Sequence, residues 1–227
     1  MRRGLTLDPR RTALVLVDLQ EEQRDHPLYA VEGFDGVLGN ARRILEACRK
    51  RDLLISHSAY RRDFAAVPKR PLEHVSAEGG PAFSDKESPQ VAICGEVAPK
   101  PGETVIWKND ASAFCEGDLG PLLQRSNIEW LIVGGVWTEA CIAATVRDAI
   151  VQGIRVLLVK DACGSGTRAM HEVGVINLAN RLAGGAVADT AATLRLVAGL
   201  ETEVWVAERP VPILFGYGDA EQLYDSL

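Results

Sequence analysis

A cysteine stands where a nucleophile could be activated, on a turn between an apolar strand and a helix. The apolar run Trp130–Val133 is followed by Gly134 and Gly135, and Thr138 has the type of a helix N-cap, so Cys141 falls in the first helical turn. The unpaired N–H groups and the dipole of that turn favour negative charge, which predicts a lowered pKa for the thiol. A thiolate there could attack a carbonyl carbon, whereas a free cysteine is commonly just a small apolar core residue.

Two charged residues end other apolar runs of the chain. Thr12–Val17 is a continuous apolar run, typical of a strand buried on both faces of a parallel sheet, and it stops at Asp18. Glu103–Trp107 is a shorter run that ends at Lys108. Each alone could be a turn cap or an exposed surface charge. Because right-handed crossovers bring the carboxyl ends of parallel strands to one edge, we expect Asp18, Lys108 and Cys141 to meet there.

The elements that must position these residues alternate between strands and helices. Strands are predicted at 12–17, 53–57, 103–107, 130–133, 154–159 and 186–188, and helices at 34–51, 118–126, 139–152, 167–182 and 190–200. The alternation predicts one α/β domain over residues 1–227, with three layers, α/β/α, around a mostly parallel, Rossmann-like sheet of six strands. The segments 21–35 and 59–102 show no strong period and are interpreted as loops.

Composition narrows the classes of partner. The chain has 227 residues, 47% of them hydrophobic, and a net charge of −6, with no basic run that would indicate nucleic-acid binding. No apolar stretch has the length of a membrane span, and no apolar core of a signal peptide follows the N-terminus. Five scattered cysteines without a Cys-x-x-Cys argue against a zinc site or a disulfide framework, and they fit a cytoplasmic protein. No glycine-rich phosphate-binding motif occurs, so no nucleotide cofactor is expected.

Several segments, in this order, resemble the isochorismatase-like cysteine hydrolases. Leu16–Gln20 carries the aspartate, Lys108–Phe114 reads Lys-x-x-x-Ser-Ala-Phe, and Gly135–Cys141 reads Gly-x-x-Thr-x-x-Cys. Glu96–Gly102 and Thr145–Ala149 also match. The Gly-x-x-Thr-x-x-Cys stretch is moderately specific by itself, and all the segments in the right order are strongly specific. The resemblance covers most of the chain.

The resemblance implies a catalytic triad of Asp18, Lys108 and Cys141. It implies that the cysteine cleaves a C–N bond of a small amide or ureido substrate through a thioester, with no metal or other cofactor. It also implies a cis peptide bond between Val136 and Trp137, with an oxyanion hole made by the backbone N–H groups of Trp137 and Cys141.

The branch of the family is narrowed by two features. Members that hydrolyse isochorismate tend to lack the cysteine, so Cys141 favours amide chemistry. Nicotinamidases carry an Asp-x-His and further histidines after the second strand, where this chain has only His57. One histidine does not make a metal site, so His57 is expected to be a packed or hydrogen-bonded residue at a strand end.

Four residues are candidates for contact with substrate: Gln20, Tyr60, Phe114 and Trp137. For Phe114 and Trp137, packing in the core is an equal alternative. Trp137 is bulky for its place in the motif and would narrow the pocket. Further pocket side chains are expected from the 59–102 connection, and the C-terminal tail is a second candidate source.

Other functions stay open at this point. An isochorismatase-type or lactam hydrolase is one alternative. Others are a non-catalytic binding or scaffold protein and a redox sensor that pairs Cys141 with Cys115. The intact Asp18, Lys108 and Cys141 argue against a decayed, non-catalytic site.

The C-terminal tail, residues 201–227, is rich in large apolar side chains. Such a segment is expected to dock on its own domain or on a neighbouring subunit. We therefore predict a homo-oligomer, a dimer or a tetramer, as the resemblance also implies.

Overall fold

Eight strands form one sheet in the computed structural model, which describes all residues, 1–227. The strands are β1 Arg2–Leu5, β2 Thr12–Val17, β3 Leu54–Tyr60, β4 Thr104–Lys108, β5 Trp130–Val136, β6 Arg155–Gly164, β7 Ala186–Ala188 and β8 Thr202–Val206. The helices are α1 Glu22–Asp25, α2 Phe34–Lys50, α3 Leu119–Arg125, α4 Ala143–Val151, α5 Arg168–Ala179, α6 Thr190–Val197 and α7 Ala220–Ser226, and one π-helical turn, Thr138–Ile142, precedes α4.

The sheet is mostly parallel, with the order β1-β8-β7-β6-β5-β2-β3-β4. The six predicted strands, β2 to β7, are all present, and each pairs in parallel with its neighbours within this group of six. Two further strands, β1 and β8, extend one edge in antiparallel pairing, so the predicted number of six is wrong. Both added strands carry charged residues and lack the continuous apolar run by which the buried strands were predicted. β1 is mostly exposed, and β8 buries only Val204 and Trp205.

Helices cover both faces of the sheet, as the three-layer prediction requires. One core lies between the sheet and α2 with α6, and the other lies between the sheet and α4 with α5. Every residue of β2 and β5 is buried, which is the reason that both read as uninterrupted apolar runs. β2 and β5, two of the three strands that end at the candidate site, are therefore packed against helices on both sides.

The helix after β5 begins differently from the prediction. The hydroxyl of Thr138 donates to the Gly164 carbonyl at 3.0 Å and bonds His171 Nδ1 at 2.7 Å, and it does not cap the helix. The predicted N-cap is therefore wrong, because tertiary partners take the hydroxyl. The end of the helix is as expected, since Gly153 follows it with φ +78°.

The tail docks on its own domain, which is one of the two predicted arrangements. Its first part is β8, inside the sheet, and its last part, α7, packs against α5. The hydroxyl of Tyr224 bonds His171 Nε2 at 3.2 Å, and the side chain of Leu227 is buried. Whether the chain forms a homo-oligomer stays a prediction.

His171 connects the tail to the turn before α4, and its titration gives a first testable prediction. Burial lowers the pKa of His171 to about 4, well below the value of about 6.5 in an unfolded chain. The neutral imidazole is thus native, and falling pH between 6.5 and 4 protonates the unfolded chain first and removes stability. We expect His171 to account for about 2 kcal/mol of lost unfolding free energy between pH 7 and pH 5.

Urea unfolding of the wild type and of His171→Gln at those two pH values measures this effect. The glutamine variant is expected to be less stable at pH 7 but to lose less stability on acidification. His74→Gln is the matched control for the loss of one imidazole, because His74 is exposed. Equal pH dependence in the wild type and in His171→Gln would contradict the assignment.

Candidate active site

An aspartate, a lysine and a cysteine from three separate elements lie together at the carboxyl edge of the sheet. Asp18 directly follows β2, Lys108 is the last residue of β4, and Cys141 lies in the π-helical turn after β5. Lys108 Nζ is 2.8 Å from Asp18 Oδ2 and 3.4 Å from Cys141 Sγ. Asp18 and Lys108 are almost wholly shielded from solvent. The three residues therefore lie in contact with one another, and their catalytic role stays a prediction.

The backbone around Asp18 explains how the strands approach so closely. Asp18 has φ +54°, a left-handed conformation that aspartate tolerates better than most residues, and its N–H donates to the Ser58 carbonyl at 2.7 Å. Beside it, Gly135 has φ +131°, and a Cβ at that position would collide with the Val17 carbonyl. Glycine is therefore required at the point where β5 passes the end of β2.

The electrostatics of the cluster correct the predicted state of the thiol. Burial raises the pKa of Cys141, the Asp18 carboxylate raises it further, and Lys108 only partly offsets the two. The predicted lowering of the thiol pKa is therefore wrong, because the argument from the helix start omitted burial and the neighbouring carboxylate. Cys141 is a protonated thiol at rest, so it needs a base before it can act as a nucleophile.

Asp18 is suited to be that base. Burial raises the pKa of its carboxyl group, and the attraction of Lys108 only partly counters the effect. Its Oδ1 is buried and accepts no hydrogen bond, so one oxygen is free for a proton. Burial opposes the charge of Lys108, but Asp18 and Cys141 outweigh it, so the pKa of the lysine is raised and its ammonium persists.

A cavity of about 270 Å³ opens onto the cluster. Asp18 and Cys141 form part of its lining, together with the aromatic rings of Tyr29, Tyr60, Phe83 and Trp137, the polar side chains of Glu22, Gln23, Ser84 and Asp110, and the small residues Ala111, Val136 and Ala140. Its size suits a small organic molecule.

Two of the four candidate pocket residues line this cavity and two do not. Tyr60 and Trp137 are in the lining. Gln20 is fully buried elsewhere, where its amide bonds the backbone N–H and C=O of Tyr60, both at 2.8 Å, and the Val91 carbonyl at 2.7 Å. It therefore positions Tyr60 and does not touch the cavity. Phe114 packs against the apolar core, which was the alternative for this residue.

Much of the lining was missed in the sequence, because it comes from segments interpreted as loops. Glu22 and Gln23 lie on α1, which is only four residues long, and Tyr29 lies in the turn after it. Phe83 and Ser84 come from the long connection between β3 and β4, which is the expected source of pocket side chains, whereas no residue of the C-terminal tail is in the lining. Aromatic residues within otherwise polar loops were the one available signal.

His57 is packed and hydrogen-bonded, as expected. Its Nε2 lies 2.9 Å from Glu103 Oε2, and burial lowers the pKa of the imidazole. It lies within β3, however, and not at the end of the strand, which continues to Tyr60.

One other group has the geometry of metal ligands: Glu21, Cys94 and Glu96. The guanidinium of Arg24 already bonds both carboxylates, each at 2.7 Å. The positive charge of Arg24 therefore already neutralises these two carboxylates. The absence of any cofactor stays a prediction.

The peptide bond between Val136 and Trp137 is cis, in agreement with the resemblance. The N–H of Trp137 makes no hydrogen bond with another group of the protein, although its indole Nε1 donates to Gln23 Oε1 at 2.8 Å. A backbone donor is thus available beside Cys141.

The fold and the site define a three-layer α/β protein with a buried carboxylate–lysine–thiol cluster at the edge of its sheet. The family model of the isochorismatase domain matches residues 12–192. The chain belongs to the isochorismatase family.

None of its helices has the length and apolar character needed to cross a membrane.

Relatives and solved structures agree with this assignment. Maleamate amidohydrolase of Pseudomonas putida is 30% identical over 178 residues, which are 74% of this chain and 79% of that protein. N-carbamoylsarcosine amidase of Arthrobacter is 28% identical over 179 residues, 75% of this chain and 66% of that protein. The crystal structure of a cysteine hydrolase from Pseudomonas syringae shares the fold, with a TM-score of 0.75 at 19% identity, over 86% of this chain and 95% of that one.

Proposed function

We propose that this protein hydrolyses the C–N bond of a small amide or ureido substrate through a thioester with Cys141. The observation that carries the proposal is one lysine ammonium within 2.8 Å of Asp18 and 3.4 Å of Cys141, beside a cavity that fits a small molecule. The names of the relatives, an amidohydrolase and an amidase, support the same reaction class.

The first half of the reaction forms the thioester. Asp18 takes the thiol proton, and the sulfur of Cys141 forms a bond to the carbonyl carbon of the substrate. The carbonyl oxygen becomes an oxyanion, which accepts hydrogen bonds from the backbone N–H groups of Trp137 and Cys141. The protonated Asp18 then gives its proton to the substrate nitrogen, and the C–N bond breaks to release ammonia or an amine.

The second half returns the enzyme to its starting state. Asp18 takes a proton from water, whose oxygen attacks the thioester carbon and forms a second oxyanion in the same hole. The C–S bond then breaks, the acid product leaves, and the sulfur regains a proton from Asp18. Throughout, the ammonium of Lys108 balances the negative charge that moves between Asp18 and Cys141.

Ammonia release from N-carbamoyl amino acids, biuret, ureidoacrylate, nicotinamide and simple amides tests the proposal. With an active amide substrate, added hydroxylamine should compete with water for the thioester and yield a hydroxamate. Hydroxamate formation that saturates with hydroxylamine supports a covalent acyl-enzyme. Turnover without hydroxamate would oppose the thioester.

Further outcomes separate the alternatives. Release of product from isochorismate, or from a lactam but not from open-chain amides, would favour those hydrolases. A reversible Cys141–Cys115 disulfide under mild peroxide, without hydrolysis of any substrate, would favour the redox sensor. Binding without turnover or oxidation would favour a scaffold. A cytoplasmic location and a homo-oligomer are part of the proposal, and light scattering that gives the mass of a monomer would contradict the oligomer.

A further inference from the structure

A buried carboxylate outside the triad faces the cavity. Glu22 is only 4% exposed and forms part of the cavity lining. Its oxygens accept hydrogen bonds from the Ser84 hydroxyl and, at 3.2 Å, from the Ser84 N–H. Gln23 adds a weaker contact from its amide at 3.4 Å. All three partners are neutral donors, so none cancels the charge of the carboxylate.

The basic groups near the cavity are already engaged elsewhere. Lys108 is paired with Asp18, and Arg70 is paired with Asp110 at 2.6 Å. The imidazole of His26 acts on Glu22 only through space. Its Nδ1 accepts a hydrogen bond from the Leu28 N–H, and no hydrogen bond or ion pair joins the ring to Glu22. Glu22 is therefore the one carboxylate of the cavity lining without a directly paired cation.

The aromatic rings beside Glu22 also favour a cationic ligand. The Phe83 ring lies 5.4 Å from that of Tyr29 and 5.1 Å from that of Tyr60, between centroids, and Trp137 belongs to the same lining. Aromatic faces attract organic cations. A carboxylate among the rings can in addition form a charge-assisted hydrogen bond with a cation, which a neutral or anionic ligand could not use. Burial raises the pKa of Glu22, and a bound cation would reverse that shift by favouring the ionised form.

We propose that Glu22 and the surrounding rings recognise an ammonium or guanidinium group of the substrate. That the cation belongs to a substrate rests on the proposed function, whereas binding of the cation by Glu22 does not. A carboxylate in the place of that cation would be repelled by Glu22 and would have no unpaired basic group to bind. The cavity therefore selects against a ligand that carries one there.

Binding of two ligands of equal size tests the proposal without any turnover. Benzylammonium is expected to bind the wild-type protein at least about tenfold more tightly than benzoate in calorimetry, and to slow alkylation of Cys141 by iodoacetamide. Glu22→Gln is expected to remove most of that preference. Glu21→Gln is the matched control, since it changes the net charge equally but removes a partner of Arg24 outside the cavity lining.

Several outcomes would overturn the proposal. One is that benzoate binds as tightly as benzylammonium. Another is that Glu22→Gln and Glu21→Gln lose the preference for benzylammonium equally. The third is that benzylammonium binds but does not slow alkylation of Cys141. The wild-type comparison decides even if Glu22→Gln does not fold. Among amides, 4-(aminomethyl)benzamide should have a kcat/KM at least about tenfold above that of 4-carboxybenzamide. Selective cation binding with no amide cleavage would overturn the hydrolase proposal and leave the role of Glu22 supported.

Discussion

Replacement of Cys141 by alanine is expected to lower kcat/KM for any amide substrate by about a thousandfold or more, because no other group at the site can form the thioester. The remaining cavity, the Asp18–Lys108 pair and the Trp137 N–H stay in place, so substrate binding should change far less than turnover. Ammonia release measures the first quantity, and calorimetry with an active substrate measures the second.

The matched control is Cys115→Ala. Cys115 is a free, exposed cysteine outside the cavity lining, so its replacement should leave turnover within about twofold of the wild type. Turnover by Cys141→Ala within tenfold of the wild type would remove the thiol from the mechanism. Equal losses in the two variants would instead point to a joint role of the two cysteines, as in the redox alternative.

The meeting of Asp18, Lys108 and Cys141 was predictable because each lies at or just after the end of a parallel strand, and two of those strands, β2 and β5, are buried on both faces. Such strands leave a strong apolar signal, and the handedness of parallel crossovers then fixes the edge at which they end. The strands β1 and β8 could not be found in this way. β1 is the exposed edge strand and β8 lies between it and β7, and their position depends on pairing between the two ends of the chain.

The cavity walls and the state of the thiol depend on tertiary contacts and so escaped prediction. Glu22 and Phe83 come from segments without periodicity, and only the folded loops bring them beside Cys141. Gln20 is polar and follows Asp18 closely, yet its amide is consumed by backbone groups of Tyr60 and Val91. The pKa of Cys141 is governed by burial, which a local argument about a helix start does not contain.

Replacement of Lys108 by methionine should affect both activity and stability. Lys108 is fully buried, and its removal leaves Asp18 without the cation that stabilises its charge. Breaking a buried ion pair costs about 3–5 kcal/mol if the remaining charge persists, so Asp18 is expected to take up a proton instead. A protonated Asp18 cannot accept the thiol proton, and we expect kcat/KM near pH 7 to fall at least about a hundredfold.

The pH dependence of stability separates this explanation from general damage to the fold. The loss of Lys108 raises the pKa of Asp18 further above its unfolded value, so the native state keeps a proton that the unfolded chain releases. The free energy of unfolding of Lys108→Met should therefore decline more steeply than that of the wild type as pH rises from about 4 to 8. Denaturant unfolding across that range measures the difference.

The double variant Asp18→Asn/Lys108→Met makes the argument decisive, because it removes the titrating group together with its partner. It is expected to regain stability at pH 8 relative to Lys108→Met while remaining inactive, since the general base is absent. Lys86→Met is the control, because Lys86 forms an ion pair with Asp63 on the surface and should change neither property much. If the double variant is no more stable than Lys108→Met at pH 8, the unpaired carboxylate is not the cause. Recovery of activity in the double variant would exclude Asp18 as the base.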